Sequence, residues 1–92
     1  MANRSYRIGY NFERRVRKFL QSQYPQGIII RQGKSSFPDL WLLLPNGNHA
    51  YECKVNKYLS KEEKEKAKHI KNRGFPFTVV YREGKQMMFM DL

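Results

Sequence analysis

The sequence has few of the residues on which small extracellular or zinc-stabilised domains depend. It contains one cysteine, Cys53, and two separated histidines, His49 and His69. A single cysteine excludes a disulfide within the chain, and these residues provide no zinc cluster. No apolar run is long enough to span a bilayer, and the polar, basic N-terminus is unlike a signal peptide. We therefore expect an intracellular, cytoplasmic protein in a reducing environment, without a membrane partner.

Acidic residues are also scarce. The chain has 8 Asp and Glu against 18 Lys and Arg, a formal net charge of +10 that is spread along its whole length. Nucleic acid is the first partner that such a charge indicates, and an anionic membrane or simple solubility is a less specific interpretation. At 92 residues the chain predicts one domain, residues 1–92, with a single core.

The hydrophobic pattern predicts an α/β protein with a mixed sheet and two helices. Apolar residues at helical spacing predict a helix over 7–23, and a β-branched run predicts a strand over 27–31. A hairpin follows around the turn at 45–48, and then a helix over 60–73 and strands over 75–81 and 85–90. The predicted order is α-β-β-β-α-β-β.

The predicted hairpin places charged side chains among apolar strand residues, where a carboxylate needs a partner or a cation. With Asn46 and Gly47 as the central turn residues, Asp39 lies opposite Lys54, and Trp41 lies opposite Glu52. Leu44 then lies opposite His49. Because side chains alternate faces along a strand, Asp39, Glu52 and Lys54 are expected on one face of the hairpin, near its open end.

Two interpretations of this cluster remain open. In the first, the carboxylates of Asp39 and Glu52 bind a hard divalent cation, and Lys54 positions a water or stabilises charge on a phosphate. In the second, Asp39 and Lys54 form a salt-bridged strand pair, and Glu52 lies at a solvated edge. The spacing of the residues supports the second interpretation at least as well as the first.

Two further glutamates have structural explanations of their own. Glu13, at the border of the apolar stripe of the first helix, could reach the sheet or pair with Arg17 one turn later. Glu63 stands three residues after Ser60, as in a helix capping box.

A resemblance favours the metal site. Pro38-Asp39 followed by Glu52-Cys53-Lys54 is similar to the signature of the PD-(D/E)xK nuclease superfamily. The pattern PDLxLLxPxG from Pro38, then ExK, Leu59-Ser60 and a helix before Gly74 resembles small VRR-NUC domains. Archaeal Holliday junction resolvases share much of this plan. The similarity covers residues 12 to 81. It departs at Glu63, where the VRR-NUC pattern usually has glutamine.

The resemblance implies a restriction-endonuclease-like core and a structure-selective, Mg2+- or Mn2+-dependent DNA endonuclease. Asp39, Glu52 and the backbone carbonyl of Cys53 would hold the metal, and Lys54 and Glu13 would complete the catalytic set. Branched DNA, such as a four-way junction, would be the substrate. A non-catalytic, basic nucleic-acid-binding protein is the alternative that composition alone supports equally well.

The predicted DNA contacts come from the basic faces of both helices and from the loop before Asp39. They are Arg14, Arg17, Lys34, Ser35, Ser36, Lys57, Lys61, Lys64, Lys68 and Lys71. A homodimer is also expected, because the run Met87 to Met90 is apolar on both faces of the last strand. The alternative is that these adaptable side chains simply fill the core. The VRR-NUC domains and resolvases that the sequence resembles act as dimers, and this resemblance favours the first interpretation.

Overall fold

The computed structural model describes residues 4–32 and 37–92, so the predicted DNA contacts Lys34, Ser35 and Ser36 lie outside the described residues. The elements are α1 (Arg4–Gln23), β1 (Ile28–Arg31), β2 (Leu40–Leu44), β3 (Gly47–Lys54), α2 (Lys61–Asn72), β4 (Phe77–Glu83) and β5 (Gln86–Asp91). The predicted α/β class and the order α-β-β-β-α-β-β are confirmed. Neither helix in the described part of the chain is both long and apolar enough to cross a membrane.

The five strands form one mixed sheet in the spatial order β1-β2-β3-β4-β5. Consecutive strands pair antiparallel, except that β3 and β4 are parallel. A parallel pair needs a crossover connection, and α2 provides it. The result is that β2, β3 and β4 occupy the interior of the sheet, while β1 and β5 are its edges.

The two helices cover opposite faces of the sheet. Phe12, Val16 and Leu20 of α1 pack in one buried cluster with strand residues that include Leu40 and Tyr51. Ala67 of α2 is buried in a second cluster, which contains Ala50 and Phe77. Ala50 and Tyr51 are adjacent in β3 but belong to different clusters, as the alternation of side chains along a strand requires. Both faces of β3 are therefore buried.

The predicted hairpin register is wrong by two residues. Leu44 pairs with Gly47, and Trp41 pairs with Ala50, so Pro45 and Asn46 are the central turn residues. Proline has a fixed φ that suits the first central position of a turn, and this preference outweighs the Asn-Gly signal. A shift of two residues keeps every side chain on its predicted face.

Residues next to each end of α2 determine where the helix begins and ends. The Ser60 side chain accepts a hydrogen bond from the Glu63 backbone N–H, and the Glu63 carboxylate accepts one from the Ser60 backbone N–H. The predicted capping box is thus confirmed. At the other end, Gly74 follows the helix with a φ of 94°, a conformation that glycine adopts without strain.

Candidate active site

Asp39 and Glu52 meet at the open end of the hairpin. Glu52 lies in β3 and is 5% exposed, and its Oε1 accepts a hydrogen bond of 3.0 Å from the Asp39 backbone N–H. Asp39 immediately precedes β2, and its Oδ2 accepts a 2.9 Å hydrogen bond from the Cys53 backbone N–H. Each carboxylate is therefore fixed by the backbone of the opposite strand.

Without a cation, these two carboxylates are poorly solvated and repel each other when both are ionised. Burial raises the pKa of Glu52 to about 8, and the nearby Asp39 carboxylate adds to this effect. Burial also raises the pKa of Asp39, against hydrogen bonds from the Cys53 backbone and the Glu52 side chain that lower it. Two acids in one poorly solvated place cannot both ionise without cost, so at neutral pH the pair retains a proton.

Lys54 lies on the same face of β3 as Glu52, as predicted. Its Nζ is 3.7 Å from Glu52 Oε2 and 2.5 Å from Glu63 Oε2. The expected alternative, an ion pair between Asp39 and Lys54, is replaced by this arrangement, in which Lys54 lies between two glutamates. The contact between Lys54 and Glu63 was not anticipated, because no local pattern relates a strand residue to the first turn of the next helix.

Cys53 contributes its backbone to the site and its side chain to the core. The thiol packs against the cluster beneath α1, on the face opposite Glu52, and burial raises its pKa. Since the thiolate is the reactive form, this cysteine is a packing residue rather than a nucleophile.

Glu13 lies on the α1 side of the sheet. Its Oε1 accepts a 2.9 Å hydrogen bond from Arg31 Nε, so its ion pair is with β1 and not with Arg17. The Glu13 carboxylate is nevertheless among the charges that raise the Cys53 pKa, and Arg17 acts on that thiol in the opposite direction. Both α1 side chains therefore approach the same end of the sheet from the face opposite Glu52.

The predicted DNA contacts do not form one surface. Arg14 is exposed on α1, and Arg17 is half-buried with an Nε that has no hydrogen-bond partner among the described residues. The lysines at 57, 61, 64, 68 and 71 are all exposed on α2 or in the segment that leads into it. Because the helices cover opposite faces, the lysines share a face with Glu52 and Lys54, whereas the arginines do not.

The side chains of the site supply too few ligands for a hard cation, so other oxygen atoms would have to complete its coordination shell. Within residues 4–32 and 37–92, no group of three or more His, Cys, Asp or Glu side chains is placed to hold a metal ion. Asp39 and Glu52 supply two carboxylates, and Mg2+ commonly completes its shell with water, backbone carbonyls and substrate phosphate. The donor set therefore fits Mg2+ or Mn2+ and is poor for zinc.

No protein-family model, curated protein or solved structure gave a significant match to the chain. Its relation to the PD-(D/E)xK nucleases thus stays a prediction from the sequence motif.

Glu63 accepts hydrogen bonds from Ser60 and from Lys54 at the same time, and Glu63→Gln tests this double contact. The Ser60 N–H donates to Glu63 Oε1 and Lys54 Nζ donates to Oε2, and glutamine has an NH2 donor in place of one of these two oxygens, so it cannot keep both bonds in this geometry. We expect the free energy of unfolding to fall by about 1 kcal/mol in urea denaturation. The matched control is Glu62→Gln, which alters a more exposed ion pair with Lys66 at 3.8 Å. Equal losses in both variants would show that the Lys54 contact contributes no more than an exposed ion pair.

Proposed function

We propose that this protein is a metal-dependent, structure-selective DNA endonuclease with a restriction-endonuclease-like core, which hydrolyses phosphodiester bonds in branched DNA. The observation that carries the proposal is the meeting of the half-buried Asp39 and the buried Glu52, two carboxylates beside Lys54 in a chain of net charge +10. Buried like charges are costly, so they occur most often where a cation or a reaction uses them.

Asp39, Glu52 and the Cys53 carbonyl would hold the cation, Mg2+ or Mn2+. When bound, the cation supplies Lewis-acid polarisation of the scissile phosphate and lowers the pKa of a water. The backbone hydrogen bonds to Asp39 and Glu52 orient both carboxylates before any ligand arrives. Preorganisation of this kind lowers the cost of assembling the site around a phosphate.

Lys54 would stabilise the negative charge that develops on the phosphate, or hold the attacking water. Its Nζ lies between the Glu52 and Glu63 carboxylates, so the ammonium is held on the face where the substrate would lie. As a hydrogen-bond donor positioned in advance, it acts where charge increases in the transition state. Glu13, bound to Arg31, would act as an outer-shell residue from the opposite face.

One observation favours a second candidate, a non-catalytic nucleic-acid-binding protein. Each charged group of the site already has a protein partner: Asp39 has the Cys53 N–H, Glu52 has the Asp39 N–H, and Lys54 has Glu63. A network of this kind is complete without a cation or a substrate. In the binding protein, its role would be to specify the packing of β2 on β3.

A cleavage assay separates the two candidates. A labelled four-way junction, a flap and a linear duplex of the same sequence are incubated with the protein, with and without Mg2+, and the products are resolved on a denaturing gel. The endonuclease predicts Mg2+-dependent cuts in the branched substrates above the level for linear duplex. Binding of all three without cleavage, in Mg2+ and in Mn2+, would leave the binding protein as the function.

We expect the protein to act as a homodimer through its β5 edge. Phe89 of β5 is 43% exposed and contacts Phe19, which is 39% exposed, with ring centroids 5.4 Å apart. Met88 is half-buried on the other face of the strand. An apolar edge strand is normally covered, and a two-fold contact is the commonest cover. Light scattering should therefore give about twice the 11.1 kDa chain mass.

Met88→Asp and Phe89→Asp are expected to shift the mass towards the monomer and to abolish paired nicking of a junction. The control is Gln86→Asp, which introduces the same charge at an exposed position of the same strand. Met90 is less suitable, because it packs against the cluster beneath α2 and its loss would disturb the fold. A monomeric wild-type protein would contradict the dimer without affecting the proposed chemistry.

A further inference from the structure

A groove of about 560 Å³ lies between α2 and the end of β5. Its apolar lining includes Leu59, Ala67 and Met90. This volume is within the range of roughly 300–1,000 Å³ that small-molecule sites occupy. It is large enough for a flat ring system and its substituents, and it lies on the same face of the sheet as Glu52 and Lys54.

The rim of the groove is basic. Lys64, Lys68 and Lys71 line it from α2, where steps of four and three residues place them on one side of the helix, and Lys57 lines it from the preceding segment. Lys57, Lys64 and Lys68 form no ion pair among the described residues, whereas Lys71 Nζ donates a hydrogen bond to the Leu92 backbone oxygen at the edge of the groove. An apolar groove bordered by lysines is complementary to a ligand that has an apolar ring and negative charge together.

Tyr58 lines the same groove and is 71% exposed, more than any other large apolar side chain described. Its backbone is held in place, because the Tyr58 N–H donates a 3.1 Å hydrogen bond to Asn56 Oδ1. This side-chain to backbone bond forms a local turn in the segment between β3 and α2. The ring is thus presented to solvent from a fixed point beside four lysines.

We propose that this groove binds an unpaired nucleotide of the DNA substrate, with its base stacked on Tyr58 and the adjoining phosphates on the lysines. Inside a duplex both faces of a base are covered by neighbouring bases, so away from the duplex ends only an unpaired base can stack on a tyrosine. Nucleic acid combines flat rings with a phosphate at each residue, which matches the lining and the rim. The proposal rests on the nucleic-acid part of the proposed function, but not on catalysis.

The groove is within reach of a strand bound at the candidate active site. Tyr58 follows Lys54 by four residues, so their Cα atoms are at most about 14 Å apart. A single-stranded segment held here would bring the point where the duplex ends close to Asp39 and Glu52. Among branched substrates, the groove would therefore select those with unpaired nucleotides next to a duplex, such as a flap, over a fully paired four-way junction.

Binding without divalent metal tests this proposal apart from cleavage. Fluorescence anisotropy in EDTA measures the affinity for a blunt duplex, the same duplex with a single-stranded tail, and the single strand alone. We expect wild-type protein to prefer the tailed duplex to the blunt one. Tyr58→Ala should weaken binding of tail and single strand by roughly 5- to 100-fold, the range for loss of a stacked aromatic ring. Blunt-duplex binding should change by less than about twofold, because its phosphate contacts remain.

Two matched variants complete the experiment. Tyr58→Phe keeps the ring and should keep the preference for the tail, whereas Tyr24→Ala removes a tyrosine that is 40% exposed elsewhere and should have no effect. Equal losses on all three probes, no loss in Tyr58→Ala, or a loss in Tyr58→Phe as large as in Tyr58→Ala would each overturn the proposal. So would a lower molar mass of Tyr58→Ala in light scattering, because a second copy of the chain would then cover the groove. Absence of Mg2+-dependent cleavage would refute the endonuclease alone, since no step of this assay uses it.

Discussion

Asp39→Asn and Glu52→Gln are each expected to lower the rate of DNA cleavage by at least about a thousandfold, equivalent to roughly 4 kcal/mol of transition-state stabilisation. Both substitutions keep the size of the side chain and replace a carboxylate that would bind the cation with a neutral amide. Gel assays under single-turnover conditions in Mg2+ measure the rate. We expect DNA affinity to change little, because the exposed lysines supply it.

The DNA affinity of each variant is also measured as a function of salt concentration. Counterion release gives a log-log slope of about −0.9 for each neutralised phosphate, so both variants should retain the slope of the wild-type protein. Glu83→Gln is the control, since Glu83 is an exposed acid at the end of β4. Full activity in either site variant would remove that residue from the mechanism, and loss of activity in Glu83→Gln would indicate a general effect of charge.

The stability of the metal-free protein is expected to fall as the pH rises from about 5 to 9. Burial raises the pKa of Glu52 from 4.5 to about 8, so over this interval the folded state binds more protons than the unfolded state. The free energy of unfolding therefore decreases with pH: the contribution is complete below the unfolded pKa and is lost as the pH rises through the folded one. The predicted loss is about 3–5 kcal/mol, and the raised pKa of Asp39 acts in the same direction.

Glu52→Gln is the matched variant for this pH dependence. Glutamine resembles the protonated glutamate: it can accept from the Asp39 N–H and donate to the Asp39 carboxylate. In urea denaturation in EDTA, this variant should be about as stable as wild type near pH 4.5 and several kcal/mol more stable near pH 9. If the free energy of unfolding has the same pH profile in both proteins, Glu52 titrates normally, and ionising its carboxyl group does not destabilise the fold.

The order of the elements could be predicted from the sequence because each has strong local signals. The apolar stripe of α1, the Ser60 and Glu63 capping box and the turn at Gly84 are all properties of a few neighbouring residues. The common face of Asp39, Glu52 and Lys54 could also be predicted, since it depends only on the period of a strand. A register error of two residues leaves that period unchanged.

Contacts between distant elements could not be predicted in the same way. The ion pairs of Lys54 with Glu63 and of Glu13 with Arg31 join residues whose separation is set by the packing of helices on the sheet. For Glu13 the sequence left open a contact with the sheet or an ion pair with Arg17, and it did not identify Arg31 as the partner. Tyr58 was not identified either, because a single tyrosine in a loop has no periodic pattern around it.

The central claim is that Asp39 and Glu52 together form a divalent cation site, and a Mn2+ titration followed by electron paramagnetic resonance tests it most directly. Free Mn2+ gives a signal that is lost on binding, so the titration counts sites without DNA and without cleavage. We predict a site in the wild-type protein whose affinity falls at least tenfold in Asp39→Ala and in Glu52→Ala, and is retained in Glu83→Ala. Mn2+ binding that is absent from the wild-type protein, or equal in all four proteins, would contradict the claim.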